Sequence, residues 1–225
     1  MYKHSNISYK DITPEQALML LKEGNFRFVN NLKANRDLLN QVNATKDGQY
    51  PFAVLLSCMD SRTSAELIFD QGLGDIFSVR VAGNIVSRSI LGSIEYAVNV
   101  VGSKLIVVLG HTNCGAIKGA CDDVKAGYIT TLMDKIKPAV EAEKTFTKDR
   151  NSSNTAFVNE VAKLNVQHSM NRILNESEVV NSLLKEGKIH IVAAMYNVAT
   201  GVVDFFEVED HALKNTTKAD DAVIA

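Results

Sequence analysis

Residues 51–62 read PFAVLLSCMDSR, an apolar run of strand length that ends in side chains able to do chemistry. Continuous apolar runs of this length are typical of strands buried on both faces of a parallel sheet. A second stretch of the same design, LIVVLGHTNCG, occupies residues 105–115. Because the carboxyl ends of parallel strands form one edge of the sheet, where binding sites are built, we expect both polar ends to meet there.

Helices and strands alternate around these two stretches. The predicted elements are a helix after residue 62, a strand at Ile76–Val81, a helix from about Ser89 to Val101, a helix from about Cys114, and further helices at Ile129–Glu143 and Ala156–Asn175. Thr63 and Glu66 are spaced as a capping box for the first of these helices. The alternation indicates βαβ units and predicts an α/β fold with a mixed, largely parallel central sheet flanked by helices.

The two ends of the chain extend this sheet and its helical cover. An N-terminal helix is predicted after Thr13, with Pro14 at its first position and Gln16 as the capping-box partner. Near the other end, IHIVAAMYN and VVDFFEV flank a short turn, which predicts a hairpin and an antiparallel edge. No composition shift marks a boundary. We therefore expect a single domain over residues 1–225, with residues 211–225 as a mobile polar tail.

The composition limits the classes of function. The chain is 46% hydrophobic and 22% charged with a net charge of −2, as expected of an ordinary globular protein. This balance gives no electrostatic reason to expect nucleic acid or a membrane surface as a partner. The first residues lack the apolar run of a signal peptide, so we expect a cytoplasmic protein. Three cysteines are too few for a disulfide framework and are more typical of metal ligands or nucleophiles.

The polar ends of the two apolar stretches carry a set of zinc ligands. Two thiolates and one imidazole, from Cys58, His111 and Cys114, are ligands that zinc prefers. Three protein ligands leave a fourth position open, which is typical of a catalytic site. We therefore predict one zinc ion per chain and a bound water, acidified by the metal, that attacks a small electrophile. Cys121 is expected to serve only in packing.

Asp60, Arg62 and Gly115 complete the candidate site. If the chain leaves the strand in extended form, Asp60 and Arg62 lie on the same side as Cys58. A carboxylate beside the metal can accept a hydrogen bond from the water or displace it as a fourth ligand, and a bidentate pair with Arg62 would decide which occurs. The Gly115 amide, at a helix start, can donate to an anionic product. Taken singly, Cys58 would be a small buried hydrophobe and Asp60–Arg62 a minor ion pair. Their convergence on two strand ends favours a site.

With CMDSR and HTNCG in this order, the sequence resembles the β-class carbonic anhydrases, whose motifs are Cys-x-Asp-x-Arg and His-x-x-Cys-Gly. The resemblance runs from the first helix to the last hairpin. It implies that Cys58, His111 and Cys114 bind zinc, that Asp60 and Arg62 are the catalytic dyad, and that the reaction is reversible hydration of carbon dioxide to bicarbonate and a proton. The implied fold has an N-terminal helical arm, residues 1–48, that crosses to a partner subunit.

Further positions match the same family. The resemblance implies that Gln49 donates to bicarbonate and that Phe77 and Tyr96 line a narrow apolar substrate pocket. In the family this pocket lies at a dimer interface, so a homodimer or a tetramer of dimers is implied. Many members have a valine where this chain has Ala82, which changes the shape of the pocket.

Two alternatives remain open from the sequence. Relatives that hydrolyse carbonyl sulfide or carbon disulfide keep the zinc ligands and the Asp–Arg pair. The fold could also serve as a non-catalytic zinc-binding module, although Asp60, Arg62 and the open fourth position argue against this. A carbon dioxide hydration assay beside a sulfide-release assay separates the two enzymatic alternatives.

Overall fold

A five-stranded sheet runs through the part of the chain that the computed structural model describes, residues 11–206. Its strands are β1 (Ala53–Ser57), β2 (Ile76–Arg80), β3 (Leu105–His111), β4 (His190–Tyr196) and β5 (Val203–Phe206). They lie in the order β2-β1-β3-β4-β5, and all neighbours are parallel except β4 and β5. The predicted mixed, largely parallel sheet and its antiparallel edge are confirmed.

The two central strands place the polar ends of both apolar stretches side by side. Every residue of β1 and β3 is buried, because helices cover both faces of the sheet. Ser57 at the end of β1 pairs with Leu109 of β3. Cys58 therefore leaves the sheet beside the last residues of β3, as the sequence predicts.

Helices flank the sheet on both sides. In chain order they are α1 (Pro14–Val29), α2 (Leu38–Thr45), α3 (Ala65–Ile68), α4 (Arg88–Glu95), α5 (Gly115–Cys121), α6 (Gly127–Ala142), α7 (Thr155–Glu176) and α8 (Glu178–Lys185). A 3₁₀ turn occupies Ala82–Asn84, and α4 continues into a π-helical segment at Tyr96–Val101. The N-terminal capping box is confirmed, since Thr13 and Gln16 bond each other's backbone amides.

The predicted capping box of Thr63 and Glu66 is wrong. Helix α3 begins at Ala65, and the Thr63 hydroxyl instead donates to the carbonyl oxygens of Cys58 and Asp60 at 3.0 and 2.8 Å. The chain turns away from the sheet here, which leaves these carbonyls without strand partners. Glu66 accepts a hydrogen bond from Ser78 on β2 at 2.6 Å.

Two short helices, α2 and α8, lie where the sequence predicts none. Helix α2 falls in the polar stretch before β1 and is capped by Asp37, which accepts from the Asn40 amide. Its apolar residues Leu38, Leu39 and Val42 are exposed, so the chain gives no buried apolar stripe from which to predict it.

Some expectations fall beyond the described residues. The first ten residues of the predicted arm and the whole of the tail at 211–225 lie outside them. Within residues 11–206, none of the helices has both the length and the apolar character needed to cross a membrane.

Candidate metal centre

Three ligand atoms converge at the carboxyl ends of the central strands. Cys58 follows β1, His111 is the last residue of β3, and Cys114 is the N-cap of α5. Their ligand atoms all lie within 4.8 Å of one another, with the two sulfurs 3.9 Å apart. All three side chains are buried. This is the predicted ligand set, and no second group of this kind occurs in the described part of the chain.

His111 presents a nitrogen with no partner of its own. Its Nδ1 atom lies 2.9 Å from the carbonyl oxygen of Thr112, which assigns the ring proton to Nδ1. The Nε2 atom is therefore an acceptor. It is buried and has no hydrogen-bond partner among residues 11–206. A buried polar atom without a partner is costly, and a metal ion bound at Nε2 would remove that cost.

The two cysteines share a hydrogen bond and one negative charge. Their mutual bond lowers the pKa of Cys58, against the opposing effect of burial, and the Gly83 amide acts in the same direction. The same bond, together with burial, raises the pKa of Cys114. A buried thiolate next to a second sulfur and an imidazole acceptor is a donor set that fits zinc.

Asp60 and Arg62 form a two-point ion pair at the edge of this cluster. Arg62 Nε donates to Asp60 Oδ1 at 2.9 Å and Nη2 donates to Oδ2 at 2.8 Å. These bonds lower the pKa of Asp60 well below its usual range, although burial opposes them. Asp60 Oδ2 lies 4.0 Å from Nε2 of His111. The carboxylate is thus held in its ionised form beside the ligand atoms.

The expected extended path from Cys58 to Arg62 is wrong, although its outcome is right. The chain turns at residues 61–62, and the Thr63 amide donates to the Asp60 carbonyl at 3.0 Å. The Arg62 amide also donates to Asp60 Oδ1 at 3.0 Å. The turn itself therefore brings the two charged side chains together, because an aspartate readily bonds the backbone two residues further on.

Residues from other elements support the site and were missed by sequence reasoning. Arg80 at the end of β2 donates to the carbonyl oxygens of Cys58 and Asp60 at 3.2 and 2.6 Å. Asn159 of α7 accepts from the Asn113 amide at 3.0 Å, in the loop between the second and third ligands. The position of Arg80 at the end of a neighbouring strand could have indicated its contact, whereas nothing local indicates the role of Asn159.

Phe77 and Tyr96 lie together but away from the metal ligands. They line a cavity of about 340 Å³ between β2 and α4, which none of the three ligands lines. Phe77 pairs with Val54, four positions before Cys58, which is about 13 Å along the strand. Tyr96 is 55% exposed. Within one chain, the predicted pocket residues and the predicted metal ligands are therefore separate.

Gln49 and Gly115 occupy open positions. Gln49 is exposed in the segment between α2 and β1. Gly115 is the first residue of α5, and nothing lies within 4 Å of the position that a Cβ would take. Open space therefore adjoins this end of the helix. The roles of both residues towards substrate stay predictions.

The sequence is similar to known proteins over most of its length. The family model described as carbonic anhydrase matches residues 53–203. Carbonic anhydrase 2 of Mycobacterium tuberculosis is 35% identical over 194 residues, which cover 84% of this chain and 90% of that protein. The carbonic anhydrase of Mycolicibacterium smegmatis is 35% identical over 198 residues, which cover 85% of this chain and 92% of that protein.

Solved structures agree with these relatives. A β-carbonic anhydrase of Sordaria macrospora, described as tetrameric, gives a TM-score of 0.61 at 25% identity, covering 74% of this chain and 89% of that one. A β-carbonic anhydrase of Aspergillus fumigatus shares the fold with a TM-score of 0.66 at 22% identity, covering 87% of this chain and 91% of that one.

Proposed function

This chain belongs to the β-class carbonic anhydrase family, whose reaction is the reversible hydration of carbon dioxide, and we propose that Cys58, His111 and Cys114 hold the zinc ion of the reaction. Enzymes of this class use zinc. The observation that carries the assignment is the buried Nε2 atom of His111, which has no partner within the described residues and adjoins two sulfurs. Two cysteines and one histidine already supply the three protein ligands that a catalytic zinc site requires.

Asp60, Arg62 and Gly115 have separate proposed roles in the reaction. Zinc, when bound, supplies a Lewis acid that makes water a nucleophile near neutral pH. Asp60, kept ionised by Arg62, accepts a hydrogen bond from the attacking water and so orients it towards carbon dioxide. Arg62 holds the carboxylate at two points, which restrains Asp60 from rotating towards the ligands. The Gly115 amide is proposed to donate to the bicarbonate product.

The substrate pocket is proposed to combine two copies of the chain. Gln49, Phe77 and Tyr96 of one copy would complete the site of the other. This arrangement is proposed because Phe77 and Tyr96 line a cavity that the metal ligands of the same chain do not line. The exposed apolar residues of α2 offer a surface that a second copy could cover. We therefore propose a homodimer or a tetramer of dimers. All three cysteines are free, which suits a reducing compartment such as the cytoplasm.

The direct test is stopped-flow hydration of carbon dioxide with zinc analysis of the same samples. We expect activity in the wild type and none in Cys58→Ala, whose zinc content should fall with it. A sulfide-release assay with carbonyl sulfide runs beside it. Sulfide release without carbon dioxide hydration would contradict the proposed substrate, and full activity of Cys58→Ala would contradict the ligand assignment.

A further inference from the structure

Helix α7 carries a row of polar side chains that bond one backbone segment next to the metal centre. Positions separated by three or four residues share a helix face. Three such side chains donate to carbonyl oxygens of the segment after β2: Asn165 to Gly83 at 2.7 Å, Ser169 to Asn84 at 2.9 Å and Arg172 to Val86 at 2.9 Å. The segment is thus fixed against α7 by side chains more than eighty residues away in sequence.

The first of these carbonyls belongs to Gly83, which also contacts the proposed metal ligand Cys58. The Gly83 amide donates to Cys58 Sγ at 3.4 Å. Gly83 has a φ of +68°, and a Cβ there would lie 2.7 Å from Cδ1 of Ile136. A glycine has no side chain to anchor it and is the most flexible residue in a chain. The amide and the carbonyl of Gly83 are joined only through its own φ and ψ angles, so the bond from Asn165 to the carbonyl restrains the direction of the amide.

Asn165 is placed for a polar role. It is fully buried, and while its Nδ2 atom bonds Gly83, its Oδ1 atom has no hydrogen-bond partner in the described part of the chain. A half-satisfied buried amide is costly, so burial alone does not explain an asparagine at this position. The amide donor towards Gly83 is what such a replacement would lose.

We propose that Asn165 is a positioning residue that holds the Gly83 amide on the sulfur of Cys58 and so tunes this ligand, an inference that rests on the proposed zinc centre. A hydrogen bond to a thiolate stabilises its charged form and draws off part of the charge that it would give to a metal. Two thiolates give zinc more negative charge than imidazoles do. The amide therefore offsets part of the loss of metal acidity that the sulfurs cause.

The test replaces zinc by cobalt in the purified enzyme and records the sulfur-to-cobalt charge-transfer band. In Asn165→Leu, the sulfur loses a fixed donor, its electrons lie higher in energy, and the band should move to longer wavelength. Because the amide also fixes the position of the Cys58 sulfur, zinc bound to Asn165→Leu should pass to a competing chelator about tenfold faster than zinc bound to wild type, the size typical of lost outer-shell partners. Circular dichroism and thermal unfolding establish that the variant is folded.

Ser169→Ala is the matched control, because it removes the neighbouring bond of the same row without touching Gly83. Its band and its zinc release should equal those of wild type. If Asn165→Leu does not fold, Asn165→Ala takes its place, because the smaller side chain leaves room for water at the Gly83 carbonyl. The charge-transfer band of Asn165→Ala should also move to longer wavelength.

Three results would contradict the inference. An unmoved band in a folded Asn165 variant would show that Asn165 does not act on the sulfur. Equal shifts of the band in Asn165→Leu and Ser169→Ala would show that the polar side chains of α7 have only a general structural role. The absence of a charge-transfer band in the wild type would instead overturn the zinc centre itself, and with it the inference.

Discussion

The sulfur atoms of Cys58 and Cys114 lie 3.9 Å apart, although 56 residues separate them in the chain. Two sulfurs bound to one zinc ion at about 2.3 Å and a tetrahedral angle would be about 3.8 Å apart. A disulfide would require about 2.0 Å. The fold therefore holds the two thiols at the separation that a shared zinc ion requires, with the free Nε2 atom of His111 beside them.

The first prediction concerns metal content. Purified protein should contain about one zinc ion per chain, and replacement of Cys58, His111 or Cys114 by Ala should remove it, because two remaining ligands bind zinc far more weakly. Metal analysis after gel filtration measures this. Cys121→Ala is the control, since Cys121 lies at the end of α5 outside the cluster and should keep its zinc. Full zinc occupancy in Cys58→Ala would disprove the assignment.

The second prediction separates catalysis from metal binding. Asp60→Asn should keep its zinc but lose about 100-fold or more in hydration rate, because an amide is a poor proton acceptor and cannot form the charged pair with Arg62. Asp123→Asn is the control, because that carboxylate is exposed and pairs only with Lys125 among the ion pairs described. A fully active Asp60→Asn enzyme would exclude the carboxylate from the reaction.

The metal ligands could be predicted from sequence because two strong local signals point to one place. The apolar runs before Cys58 and His111 match the wholly buried strands β1 and β3, and parallel neighbours end at the same edge. The Asp60–Arg62 pair could be predicted as well, but by way of an extended segment that is in fact a turn. An extended segment and a turn both bring the side chains of residues two apart close together. The ion pair is therefore predicted correctly although the backbone path is not.

The support of the site could not be predicted in this way. Asn165 bonds Gly83 across 82 residues, and neither residue has a local pattern that names the other. The same holds for Thr63. Its hydroxyl is expected to cap the following helix, but it donates to two carbonyl oxygens that the turn leaves without strand partners. Hydrogen bonds of this kind depend on which polar groups the fold leaves without partners, and this is known only once the chain is folded.

The third prediction concerns the stability of the turn at Gly83. Replacement by Ala should cost about 1–2 kcal/mol for the left-handed backbone, and more for the contact of 2.7 Å with Ile136. Gly187→Ala is a matched control, because Gly187 has nearly the same φ, +67°, but open space around it. Urea unfolding of the zinc-loaded proteins should show the larger loss in Gly83→Ala. Equal losses would mean that packing against Ile136 adds nothing.

The fourth prediction concerns pH and the N-terminal segment. Asp70 is buried and accepts hydrogen bonds from Arg27, the Ala34 amide and Arg36. Burial raises the pKa of Asp70, but these bonds outweigh it and hold the pKa below its usual value. A lowered pKa stabilises the fold above the unfolded value of about 3.9, and this contribution is lost as the pH falls below it.

Asp70→Asn should therefore unfold about 1.5–3 kcal/mol more easily than wild type near neutral pH, because a neutral amide replaces the buried carboxylate that accepts from two half-buried arginines. The difference should shrink as the pH falls below about 3.9, because the unfolded wild-type chain takes up a proton there while the lowered pKa keeps the folded carboxylate ionised. Asp37→Asn is the control, because asparagine caps a helix as well as aspartate does. A difference between Asp70→Asn and wild type that does not change with pH would exclude the charge as its cause.

The last prediction asks whether one site is built from two chains. Gln49→Ala and Cys58→Ala should each be inactive alone, because one lacks the proposed bicarbonate donor and the other lacks a metal ligand. Mixed under subunit exchange, they should recover about a quarter of wild-type activity, because half of randomly formed dimers are mixed and each mixed dimer has one complete site. Asp60→Asn mixed with Cys58→Ala should recover nothing, because both changes fall on the same half of the site. If mixed dimers are demonstrated and the first pair stays inactive, Gln49 acts within its own chain, and the proposal that it completes the site of a neighbour is wrong.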